Sequence, residues 1–206
     1  MSIGLEVAIL PGIAIARRID KDGDLKRHIL LMPALGLLVC LGISGVCFLL
    51  GWTLSTLTSL LVLANVIAVI AIRIELEPVH YEKIIQRSPW FWIFTIIAFV
   101  IAVTPLSYGS PMGVDWIGFS VLADSISRTG GFILSEPSIG SWTYPPAFPM
   151  LAAWMGGEPH ISVFILGTMC FAALLLGISA VGEKMGCGHW TIMAMLLAPA
   201  LFAKNL

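Results

Sequence analysis

Six apolar runs separated by shorter polar segments organise this chain, at residues 2–16, 29–51, 55–72, 90–106, 161–181 and 190–203. A membrane-crossing helix needs about 20 apolar residues. The pattern therefore predicts an all-α polytopic membrane protein with about six transmembrane helices. The first run is short, carries Glu6 and is interrupted by Pro11-Gly12, so a short or kinked span is expected there. A secretory signal is the rival reading of that run. Against it, the charge follows the apolar residues instead of preceding them, and no small-x-small cleavage site lies before Arg17.

Residues 111–149 form the one long stretch that is not simply apolar, and they predict a large outer loop bearing surface helices. Over 116–128 the residues Trp116, Phe119, Ala123 and Ile126 recur at helical steps, while Ser120, Asp124, Ser127 and Arg128 collect on another face. Such a helix is expected to lie along the membrane surface with its apolar side down. Asp124 and Arg128 are spaced to pair one turn apart. Gly130-Gly131 ends the helix, and Pro145-Pro146 opens a second short helix through the segment AFPMLAAWM. Three parts result. Residues 1–107 hold about four transmembrane helices, residues 108–159 the extracytoplasmic loop, and residues 160–206 the last two spans.

Composition agrees with the pattern. Hydrophobic residues make up 58% of the chain and charged residues 11%, and mean hydropathy is +0.98. A formal net charge of -1 argues against a nucleic-acid partner, which would need a basic face to neutralise phosphates. The distribution of charge sets orientation. Arg17, Arg18, Lys21, Lys26 and Arg27 crowd the first connector, and Arg73, Lys83 and Arg87 the third, which places both in the cytoplasm and both termini outside, in the inner or plasma membrane. Asp20, Asp22 and Asp24 alternate with the bases of the 17–28 segment, which reads as a solvated connector; the bidentate Glu of a calcium loop is missing. Asn65, within the third run, is expected to hydrogen-bond a neighbouring helix. Cys40, Cys47, Cys170 and Cys187 form no zinc-type cluster and read as small core residues. The sequence ends at Ala-Lys-Asn-Leu directly after an apolar run, so an incomplete or split unit is expected.

From about residue 90 to 206 the order of signals resembles the GT-C superfamily of membrane glycosyltransferases. GVDWIGFSVLADSISRTGG looks like the family's first large outer loop, and SWTYPPAFPMLAAW looks like the Tyr-Pro-Pro helix that follows it. The fifth span, ending in GEKMG, looks like the next crossing with its basic cytoplasmic end. The resemblance implies transfer of a sugar from a polyprenyl-phosphate donor at the outer side, with membrane lipid as partner and a divalent cation, Mg or Mn, in those members that need one. It also implies a C-terminal partner chain or larger membrane complex.

Asp115 matches the family's loop Asp, which acts as general base or orients the acceptor; capping of the following helix is the alternative. Arg128 is a candidate for the lipid phosphate or for a surface pair. Trp142 and Tyr144 are candidates for sugar stacking or for interface anchoring. Asp124 and Glu136 are weak metal candidates. Asp124 stands nine residues from Asp115, near the opposite side of a helix. His160, which opens a span, is expected to do no chemistry. The rival function is a non-catalytic GT-C-like scaffold subunit. A transporter is disfavoured because ionisable residues are nearly absent from the spans.

Overall fold

A computed structural model describes residues 3–21, 25–74, 89–103, 114–131 and 147–202. These residues form eight helices: α1 (Ile3–Ile19), α2 (Leu25–Leu49), α3 (Leu54–Ile74), α4 (Pro89–Val103), α5 (Val114–Thr129), α6 (Ala147–Met155), α7 (Pro159–Lys184) and α8 (His189–Phe202). Among the described residues there is no strand, only one antiparallel bridge between Thr53 and Gly131. Three helical stretches, Lys26–Leu49, Leu54–Ile74 and Pro159–Lys184, are long and apolar enough to cross a membrane; Pro89–Val103 and His189–Ala198 are shorter apolar helices.

The first run forms a helix of 17 residues, short as expected, which continues through Pro11 and Gly12. Proline lacks the amide that would bond the carbonyl four residues back, here that of Val7. Asn65 of α3 supplies the missing donor, its Nδ2 lying 3.0 Å from the Val7 oxygen and 2.8 Å from that of Leu61. A neighbouring helix thus supplies the hydrogen bond that the proline removes. The glycine serves a different end. A side chain at Gly12 would run into the Met32 carbonyl, and one at Gly36 into the Ala8 carbonyl. Backbone approaches this close need small residues on both helices, and they make α1 and α2 a tightly crossed pair.

The 17–28 connector is shorter than its charges suggest. Arg17 and Arg18 occupy the last turn of α1, and α2 begins at Leu25. Two contacts establish which helix ends lie together. Asp20, just beyond α1, pairs with Arg27 in the first turn of α2 and with Lys184 at the end of α7. Trp90, at the start of α4, stacks on His189, at the start of α8, with ring centroids 4.7 Å apart. Since α8 follows α7 by a short turn, these five ends share one side of the bundle. The turn joining α2 to α3 lies at the other.

Packing divides into two apolar clusters that meet on α7. The larger draws buried residues from α1, α2, α3, α5, α6 and α7, among them Cys47, Leu57, Ile126, Met150 and Leu166. The smaller holds Phe94 and Ala98 of α4, Leu175 of α7, and Ile192 and Leu196 of α8. Cys40 and Cys47 are buried and unbridged, in keeping with a packing role.

Candidate functional site

The face opposite the Asp20 end is built by α5 and α6. The apolar strip read from the sequence is the one that packs, with Leu122, Ala123 and Ile126 buried and Trp116 and Phe119 against them. Its destination differs from the expected one. The strip meets α6 and α7, not a membrane surface. Trp116 decides this geometry: its ring fills the space beside Gly167 where any side chain would collide, and it meets Phe164 and Phe148 edge-on at 6.0 and 6.4 Å. Gly167 lies eight residues into α7, so α5 begins about 12 Å along that helix.

At its other end α5 stops where Gly130 turns to a φ of +70°, a conformation that favours glycine. The Gly130 carbonyl then accepts the Leu54 amide at 2.9 Å, beside the α2–α3 turn. The outward side of α5 changes character along this course. It presents Ile117 and Val121 first, 65% and 47% exposed, and then Asp124, Ser127 and Arg128.

Short helix α6 is held from several sides. Met150, Leu151 and Ala152 are buried, Ser44 of α2 donates to the Ala147 carbonyl at 2.8 Å, and the Trp154 indole donates to the Thr58 hydroxyl of α3 at 2.9 Å. Gly156 and Gly157, both at positive φ, turn the chain into α7, and the Ser162 hydroxyl closes the turn on the Gly156 carbonyl at 2.6 Å.

Asp115 is the second residue of α5, and its side chain lies outside the described residues, as do Glu136, Trp142 and Tyr144. Asp124 and Arg128 form the anticipated pair, 2.6 Å apart and largely in solvent. Thirteen residues separate Asp115 from Arg128, about 20 Å along the helix axis. The two do not converge on one reacting group. Asp124 is likewise turned to Arg128, and among the described residues no three His, Cys, Asp or Glu side chains come together as metal ligands. The companions expected for Asp124 in a metal site, Asp115 and Glu136, have side chains outside the described residues. His160 faces Glu158 at 3.3 Å, both exposed.

Comparison with known proteins finds no match. Neither a family model, nor a curated protein, nor a solved structure is similar to this chain.

The sequence reading missed Asp20, which is no solvated connector residue. It is 3% exposed, its Oδ1 stands 3.0 Å from Lys184 Nζ and its Oδ2 3.2 Å from Arg27 Nε. Oδ2 makes no hydrogen bond, so the Arg27 contact is one of charge. The His28 ring donates from Nε2 to the Asp20 backbone carbonyl at 2.8 Å, which fixes its tautomer. Alternating acids and bases carry no signal for this burial, because Lys184 comes from the far end of the sequence. The arrangement ties three helices together.

Proposed function

We propose that this chain is a GT-C-like membrane glycosyltransferase, or the N-terminal half of one, transferring a sugar from a polyprenyl-phosphate donor on the outer side of the membrane. In this reading α1, α2, α3, α4, α7 and α8 make the six crossings, with the Asp20 end in the cytoplasm and both termini outside. The grouping of helix ends supports the alternation, and the bases of α1, α2 and α7 at one end support the orientation.

The observation that carries the enzymatic reading is the course of α5. Its first turn, which contains Asp115, sits part-way down α7 beside the outward-facing Ile117 and Val121. A donor whose anomeric carbon is anchored to a lipid phosphate reaches such a place from the bilayer. Asp115 would take the proton of the acceptor hydroxyl as that oxygen attacks the anomeric carbon. The bond to the phosphate breaks, the polyprenyl phosphate leaves with the electron pair, and the configuration inverts. Trp142 and Tyr144 remain candidates to stack on the sugar. Arg128, at the far end of the helix, is assigned to its pair with Asp124. No step is routed through a metal.

A second reading, a non-catalytic scaffold subunit, is favoured by α3, which exposes Val62, Val66, Ile67 and Ile70 along its length. Label transfer from a polyprenyl-phosphate sugar pool, measured in membranes holding matched amounts of the chain and of Asp115→Asn, separates the two. The enzyme reading expects transfer by the parent and a loss of about 100-fold or more in the variant. Absence of transfer by the parent, with any downstream partner supplied, leaves the scaffold.

A further inference from the structure

A glycine inside a helix costs about 1 kcal/mol against alanine, and Gly167 lies within α7 on ordinary helical backbone. Its want of a side chain is therefore a matter of space. A Cβ there would collide with the far edge of the Trp116 indole, at Cη2 and Cζ3. The other two glycines of α7 are less constrained. Gly177 meets the Ala34 methyl at 3.5 Å, an ordinary contact, and Gly182 meets the flexible end of Ile192. The Trp116 ring has no such freedom, because Phe164 and Phe148 stand edge-on to it at 6.0 and 6.4 Å. A methyl at position 167 would drive the ring back by more than about 1 Å before an ordinary contact distance is reached. The backbone of α5 would carry that displacement.

Asp115 immediately precedes Trp116, so their Cα atoms are about 3.8 Å apart across one peptide. Leu122, Ala123 and Ile126, the fully buried side chains of α5, lie nearer its other end. The seat of the indole is thus what holds the first turn of α5 in register with α7. We propose that Trp116, lodged against Gly167, is a positioning residue for the transfer reaction: it sets the place of Asp115 along α7, and so the reach of the base to the acceptor hydroxyl. This role rests on the enzymatic reading above. A general base acts only within hydrogen-bond reach of the proton it takes, and a misplacement of about 1 Å can cost about 100-fold in rate. Positioning of this kind acts on turnover and leaves donor affinity alone.

The test measures initial rates of label transfer from the polyprenyl-phosphate sugar pool over a range of pool concentrations, with the full chain in membranes and any downstream partner supplied. Rates are referred to folded protein, counted after detergent extraction as a single eluting species. Gly167→Ala is expected to lower kcat about 10-fold or more and to leave KM within about threefold of the parent. Gly177→Ala, on the same helix but clear of the ring, is expected to match the parent. Trp116→Phe shortens the ring at the edge that Gly167 admits. Adding it to Gly167→Ala should therefore raise kcat about fivefold above Gly167→Ala alone, whereas loss of packing alone would make the double variant the slower of the two. Absence of transfer by the parent overturns the enzymatic reading and this role with it. Three outcomes overturn the role and leave the enzymatic reading standing: a kcat that Gly167→Ala leaves within about threefold of the parent, a loss carried by KM, or a double variant no faster than Gly167→Ala.

Discussion

Two aspartates meet basic partners at opposite ends of the bundle, and burial makes them different interactions. Asp20 is 3% exposed and gathers Arg27 from α2 and Lys184 from α7. Asp124 is 38% exposed and pairs with Arg128, one turn along its own helix. In water the attraction between unit charges is weak and salt screens it. Removing one member of a buried group leaves a charge that nothing compensates. Comparable chemistry is thus a three-helix tie at one end and a solvated pair at the other.

The contrast can be broken by substitution. Asp20→Ala should cost most, about 2 kcal/mol, less than a fully buried pair because the Lys184 side chain is 49% exposed and can return to water. The thermal midpoint of the purified chain in detergent would report it; an unchanged midpoint would mean that Asp20 is solvated after all. Lys184→Ala leaves Arg27 on the carboxylate and should cost about 1 kcal/mol by the same measurement. Asp124→Ala should stay within about 0.5 kcal/mol of the parent. Salt sharpens the comparison further: the small effect at Asp124 should vanish as ionic strength rises, while that at Asp20 persists.

Much of the helical layout was legible because one property, apolar periodicity, determines it. The run at 55–72 became α3, the segment AFPMLAAWM became α6, and the strip through Trp116, Phe119, Ala123 and Ile126 became the packed side of α5. The destination of that strip was not legible. An apolar face fits a membrane surface or another helix equally well, and only the space beside Gly167, which admits the Trp116 ring, selects α7. How α1 accommodates Pro11 was not legible for a related reason, since local propensity cannot register an Asn supplied by a helix more than fifty residues later. Of the site, the Asp124–Arg128 pair could be read because its partners are one turn apart. Asp20 could not, because its burial depends on how the ends of three helices meet.

The meeting of both apolar clusters on α7 bears on the order in which the chain is made. Within the smaller cluster, the buried partners of α4 are all synthesised after it: Leu175 on α7, then Ile192 and Leu196 on α8. Until those helices arrive, Phe94 and Ala98, fully enclosed in the finished protein, face whatever surrounds the growing chain. The make-up of α4 suits that interval. Apart from its tryptophan indoles, the one polar side chain from Pro89 to Val103 is Thr95, whose hydroxyl is already bonded to the Phe91 carbonyl. A helix made before the neighbours that enclose it thus leaves no side-chain hydroxyl waiting for them.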